Sequence, residues 1–220
     1  MTTLSLVTCC YGMEYAEFIP RWWSGVLRLN RKPDEIILGI AEGDPTGLSK
    51  SIPESVEAKV VVLPEGTNAE KWNHAIRQAT SKWWLYMPID DELLPEALDE
   101  LDAADQTGAE IICDSIVVRH NQALERGHWD TSNIAVRLPI PGWPMTTLDI
   151  FWRLSREDYK FGDWAFQIDA AAEGAKVYFA NTRRMVWDAG IDRNTLSSKH
   201  QPDKQYHLDQ IYKYAKSKGF

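Results

Sequence analysis

The sequence predicts an α/β fold: a mostly parallel central sheet with helices on both faces, in a single domain. Short, nearly continuous apolar runs recur along the first half, as strands buried on both faces do. Segments with helical apolar spacing alternate with them, which is the pattern of a parallel sheet wrapped by its own crossover helices. Acidic residues also gather just after two of the runs, where open α/β sheets place their ligands. The 220 residues suffice for one such domain with a real core.

The first strand is expected at Leu4–Thr8 (LSLVT), followed by a turn through Cys9–Gly12. Tyr15, Phe18, Ile19, Trp22, Trp23, Val26 and Leu27 then recur at helical spacing, which predicts a helix over roughly Pro20–Leu29. Glu35–Ile40 (EIILGI) is the second strand and Lys59–Leu63 (KVVVL) the third. Thr67 and Glu70 have capping-box spacing ahead of a helical face made by Trp72, Ala75, Ile76 and Ala79. Trp83–Met87 is the fourth strand. Leu94, Leu98 and Leu101 predict a helix after it, with Pro95 in its first turn. Glu110–Val118 (EIICDSIVV) is the fifth strand. From about residue 119 the pattern degrades, and His120–Trp143 is polar, aromatic and broken by prolines. Order returns with a helix over Asp163–Gly174, with Gly174 suited to its C-terminal stop, and a strand at Lys176–Ala180. Arg183–His200 has no clear period, and a final helix is expected from Lys204 to Lys218.

Composition removes several classes of function. A net charge of −8 disfavours the long basic footprint of a nucleic-acid binder. No basic-then-apolar leader opens the sequence and no apolar run is long enough to span a bilayer, so a cytoplasmic protein is expected. Cys9, Cys10 and Cys113 have neither disulfide-framework nor metal-ligand spacing, and the His are scattered. A Gly-rich dinucleotide fingerprint, a Gly-Lys-Ser/Thr phosphate loop, a His-Glu-x-x-His helix and a Gly-x-Ser-x-Gly elbow are all absent.

What remains is a set of acids at strand ends. Glu42 and Asp44 follow the second strand; Asp90, Asp91 and Glu92 follow the fourth. In a parallel sheet these loops share one edge, so both groups are candidates for a single cleft. The first group suits hydrogen bonds from a base or ribose. The second repels itself unless a hard divalent cation sits among its oxygens, as a diphosphate site requires. Helix capping explains acids at such a place equally well.

The segments LSLVTCCYG, EIILGIAEGD, EKWNHAIRQA, WWLYMPIDDELLPEAL and FGDWAFQIDAAAEGAKVYFA, in that order, resemble a family-2-like glycosyltransferase with the GT-A, Rossmann-like nucleotide-sugar-binding fold. The likeness spans almost the whole chain. Asn73 matches the family's Asn in an Ala-rich helix, and Asp90, Asp91 and Pro95 fit its Asp-x-Asp-Asp motif with a following Pro. Pro88 stands where that motif has its first Asp, and Gly162-Asp163 keeps only the second member of the later acidic pair. The resemblance implies a residue 1–118 half that binds the nucleotide sugar and a 119–220 half that binds the acceptor. It also implies an inverting transfer of sugar from a nucleoside diphosphate sugar to an acceptor hydroxyl, assisted by Mn2+ or Mg2+.

By the same resemblance Asp163 is the catalytic base, and Asp90, Asp91 and Glu92 are the metal candidates. Tyr11, Glu42, Asp44, Lys71, Asp90, Asp91, Arg183 and Arg193 are candidates for the nucleotide sugar, with Arg184 and Lys199 further candidates for the diphosphate charge. Trp143, Trp152 and Trp164 are candidates for stacking on an acceptor, with burial in the core as the competing role. The acceptor is a protein, a glycan or a small molecule in preference to a nucleic acid. Two other functions fit the same fold: a non-catalytic nucleotide or carbohydrate binder, and a sugar nucleotidyltransferase. The latter calls for a glycine-rich basic loop after the first strand, which Cys9–Gly12 does not supply.

Overall fold

The computed structural model describes residues 1–120, 123–126, 143–156, 162–188 and 204–219. Among the described residues nine strands form one sheet: β1 (Leu4–Cys10), β2 (Glu35–Ile40), β3 (Lys59–Val62), β4 (Trp83–Tyr86), β5 (Glu92–Leu93), β6 (Ile111–His120), β7 (Ala123–Arg126), β8 (Met145–Thr147) and β9 (Val177–Asp188). They follow one another across the sheet in the order β3-β2-β1-β4-β8-β6-β9-β5, with β7 paired to β6. β1, β2, β3 and β4 pair in parallel, as do β6 and β9. The short strands β5, β7 and β8 run the other way. The sheet is therefore mostly parallel, as the buried apolar runs require.

Two apolar layers cover it. On one face α1 (Ile19–Arg28) sets Trp22, Trp23 and Val26 against Leu4, Leu6, Leu38 and Leu85. The helix α3 (Leu101–Gln106) joins that layer through Leu101 and Ala104. On the other face α2 (Asn68–Ile76), α4 (Leu148–Leu154) and α5 (Gly162–Ala172) bury Ala75, Ile76, Ile150, Phe151, Phe166 and Ala170 against Val7, Ile37, Trp84 and Ile111. The last helix, α6 (Lys204–Ser217), packs on α5. The expected capping box opens α2: Thr67 Oγ1 accepts from Glu70 N at 3.2 Å, and Glu70 Oε2 accepts from Thr67 N at 2.6 Å. Gly174 has φ 74° just past α5, the left-handed stop its sequence position suggested.

The segment after Asp91 departs from expectation. The helix predicted to start at Pro95 is replaced by β5 and a series of tight turns, and α3 begins only at Leu101. Tertiary pairing overrides helical periodicity here. Glu92 and Leu93 pair with Val186 and Met185, and Leu94 N donates to Arg184 O at 2.9 Å. Leu98 and Leu101 are nonetheless fully buried, so the apolar spacing marked the core correctly while misreading the backbone. β9 runs on past Ala180 as far as Asp188, because β6 and β5 flank it on both sides. No element was expected between Trp143 and Asp163, where β8 and α4 stand. α6 stands where the final helix was expected, with Ala215 packed against Ala165 and Ile168 of α5.

Candidate active site

β8 is short, and its pairing stops early. It pairs with β4 only at Trp83 and Trp84, and with β6 only at Ile111 and Ile112. Above that level β4 and β6 continue with no strand between them among the described residues. The Trp143 ring lies beside this gap, 5.5 Å from Trp84, 6.3 Å from Tyr86 and 5.3 Å from Phe166. Open α/β sheets place ligands where neighbouring strands part at their C-terminal ends.

The acids at this edge come from the chain leaving β4. Asp91 is buried, at 4% exposure, and Asp90 is half-buried. Arg21 of α1 donates to the main-chain oxygen of Asp90 and so fixes the segment from below. Asp90 lies close enough to act on the ends of β1 and β4. Burial chiefly, and then the Asp90 charge, pushes the Tyr15 phenol up to about 12. Burial, with smaller contributions from Asp44 and Asp90, takes the Cys10 thiol to about 11.

Tyr11 follows β1 directly. Its hydroxyl donates to Asn68 Oδ1 at 2.7 Å, and the Lys71 ammonium stands 4.6 Å from its ring centre. Both partners belong to the first turns of α2, so this helix and the end of β1 form one wall. Burial raises the Tyr11 phenol well above its ordinary range, which keeps it a neutral donor. Glu42 is exposed in the turn after β2. Asp44, two residues on, faces inward instead. Its carboxylate accepts from Leu48 N at 3.1 Å, Ser49 N at 2.9 Å, Ser49 Oγ at 2.6 Å and Thr46 Oγ1 at 3.2 Å. It organises its own loop and offers little to a ligand.

Three more expectations change. Glu92 pairs with Arg28 at 2.6 Å rather than joining Asp90 and Asp91. Among the described residues, no group of three or more His, Cys, Asp or Glu could hold a metal ion. Arg183 turns to Glu96 at 3.4 Å, beside the turns that carry Ala97 and Leu98 into the α1-side core. Arg184 is fully buried and donates to the main-chain oxygen of Trp143. Arg193, Lys199 and His200 lie outside the described residues.

Asp163 is in the first turn of α5. That helix packs Phe166 on Trp84 and Trp143, then ends at Ala172, shortly before β9 begins alongside the start of β6. It therefore descends against the strand direction, and its first turn lies toward the C-terminal edge that carries Asp90. Of the stacking candidates, Trp143 is buried, Trp164 half-buried, and Trp152 is 52% exposed on α4. Arg21 and Asn68 were not singled out in the sequence. Arg21 is legible in retrospect as a cation beside the apolar Trp22-Trp23 face of α1; Asn68 carries no such signal.

The fold recurs in solved glycosyltransferases. It superposes on S. aureus TarS residues 1–349 with a TM-score of 0.69 at 12% identity, covering 96% of this chain and 69% of that one. The same protein in complex with UDP-GlcNAc gives 0.74 at 12% identity, over 99% of this chain and 66% of that one. The mannosyltransferase PcManGT from Pyrobaculum calidifontis, in complex with GDP-Man and Mn2+, gives 0.71 at 12% identity, over 99% and 65%. No curated protein sequence matches the chain. The family model described as "Glycosyl transferase family 2" matches residues 5–172, from the first strand to the end of α5. That span holds the parallel strands β1 to β4, the acids that follow β2 and β4, and Asp163, and the chain accordingly belongs to glycosyl transferase family 2, as a glycosyltransferase with the GT-A fold.

Proposed function

We propose that the chain transfers a sugar from a nucleoside diphosphate sugar to an acceptor hydroxyl with inversion at the anomeric carbon. The observation that carries this reading is the shared edge: the ends of β1, β2 and β4 and the first turn of α5 all lie toward the C-terminal edge of the parallel strands. Solved neighbours in complex with UDP-GlcNAc and with GDP-Man and Mn2+ support a donor of that class. In this reading residues 1–118 bind the donor and residues 119–220 the acceptor.

Tyr11 and Lys71 line the nucleotide side, with Glu42 exposed in the turn after β2, the strand next to β1. Asp90 and Asp91 are the residues that would hold a divalent cation. Two adjacent carboxylates suit an ion that takes the rest of its ligands from substrate phosphates and water. Bound there, such a cation offsets the charge of the departing diphosphate. Asp163 accepts the proton of the acceptor hydroxyl as its oxygen attacks. Bound reactants are held aligned and shielded from water, which would otherwise take the acceptor's place.

The test combines nucleotide binding with turnover. UDP and GDP are titrated calorimetrically with and without Mn2+, and hydrolysis of the matching nucleotide sugar is followed. Asp90→Ala is expected to abolish the gain in affinity from Mn2+. Asp163→Asn is expected to keep binding within about twofold and slow turnover about 10²- to 10⁴-fold, the range of a lost general base. Pro88 at the position of the motif's first Asp, and Glu92 diverted to Arg28, favour a second reading as a non-catalytic nucleotide binder. Binding that ignores Mn2+ and Asp90, with no turnover to lose, establishes that reading instead.

A further inference from the structure

Helix α5 is held from its outer side by a buried carboxylate that the transfer chemistry does not use. Asp169 is 5% exposed. Tyr214 Oη donates to its Oδ1 at 2.6 Å, Lys218 Nζ is 3.0 Å from the same oxygen, and Arg156 Nη1 is 3.7 Å from Oδ2. Tyr214 lies in α6 and Lys218 just beyond it, while Arg156 follows α4. Around this hub Ala165 and Ile168 pack against Tyr214, Ala215 and Trp164.

Arg156 extends the network toward the donor side. Its guanidinium donates to Tyr214 Oη at 3.3 Å, and its main-chain oxygen accepts from the buried Asn73 Nδ2 at 2.6 Å. Asn73 belongs to α2, the helix whose first turns hold Tyr11 and Lys71. One acid thus links α5 to α6, to the end of α4 and, through Arg156, to α2. An apolar α5–α6 contact would tolerate sliding and rotation. A buried carboxylate tolerates neither, because any other register strands its charge away from its partners. The family match stops at residue 172, so α6 lies outside that span, seated on the helix that carries Asp163.

We propose that Asp169, with Tyr214, Lys218 and Arg156, positions the first turn of α5, setting the height and rotation at which Asp163 meets the acceptor. The inference rests on Asp163 being the base. Its effect is on turnover, because misplacing a reacting group by about 1 Å costs on the order of 10²-fold in rate.

The test uses the full chain and the variants Tyr214→Phe, Lys218→Met and Lys218→Arg, which alter half-exposed side chains and leave the core intact. Amide hydrogen exchange is measured without ligand. Hydrolysis of UDP-GlcNAc and GDP-Man is measured with Mn2+. Tyr214→Phe and Lys218→Met are expected to speed exchange in residues 162–172 about tenfold with α2 unchanged, and to lower kcat about tenfold with KM within twofold. Lys218→Arg, which retains the ion pair, is expected to restore both. Unchanged exchange in α5, or a rise in KM with kcat intact, overturns the proposal. Undiminished hydrolysis in Asp163→Asn overturns the base assignment instead, and the exchange result then judges the clamp alone.

Discussion

At the scale of single residues, the neighbours of an acid decide what it does. Asp44 and Asp90 both follow parallel strands, yet Asp44 is committed to its own loop. Burial by itself would raise its pKa. Hydrogen bonds from Ser49, Thr46 and the Leu48 amide outweigh that and hold it below the usual carboxylate range. A lowered native pKa contributes stability that is complete above the unfolded value of 3.8 and fades as pH falls through the native one. Asp44→Asn is therefore expected to flatten the acid arm of the stability curve below about pH 4, read by urea melts across pH. Asp44→Ala leaves two amides and two hydroxyls without their acceptor and is expected to cost about 2–3 kcal/mol near neutral pH. The sequence offered Glu42 and Asp44 as equals. Nothing in the letters showed that the chain would turn at Asp44 with φ 47° and fold Thr46–Ser49 over its carboxylate.

At the scale of elements, α1 and β5 approach unusually closely. A Cβ on Gly25 would stand 3.1 Å from both the nitrogen and the oxygen of Leu93. β5 cannot yield easily, because Leu93 is paired with Met185 on its other side. Gly25→Ala gains about 1 kcal/mol of helix propensity but overpacks a backbone contact, so a net loss of about 1 kcal/mol is expected in denaturant melts. Since β5 follows Asp91 directly, the same change should weaken Mn2+-dependent nucleotide binding, whereas Leu27→Ala, exposed on the same helix, should do neither. The elements legible in the sequence were those whose own residues settle the matter: β1 to β4, α1, and α2 with its Thr67–Glu70 box. β5, β8 and the far end of β9 exist through partners distant in the chain. Three letters such as Met145–Thr147 cannot announce a strand when the pairing comes from Trp83, Trp84, Ile111 and Ile112.

At the scale of the whole molecule, the three cysteines report on global opening. Cys9, Cys10 and Cys113 are all buried, and none is disulfide-bonded among the described residues. Burial pushes the Cys9 thiol up to about 12 and, as its largest cause, the Cys10 thiol to about 11. The native chain is expected to resist a thiol-specific chromogenic reagent at pH 8, and all three cysteines to react at the rate of unfolding. Raised thiol pKa values also favour the folded state fully below the unfolded value of 9.0, with that advantage lost as pH climbs toward 12. Fold and family were legible because they rest on the order of buried runs and acids along the entire chain. The site was legible only in outline. Spacing placed Asp90, Asp91 and Asp163 at strand and helix ends. The pairing of Glu92 with Arg28, and of Arg183 with Glu96, depends instead on side chains far apart in the sequence.

The brevity of β8 is imposed by what precedes it. Continued in register, the next residue up β8 would be Pro144, opposite Tyr86, and proline has no N–H to lend to a ladder. One imino acid thereby keeps a zipper from closing, and the indole just before it, Trp143, is buried against Tyr86 where further rungs would have formed. A ring thus takes over from backbone pairing at the point where a three-residue strand is forbidden to grow.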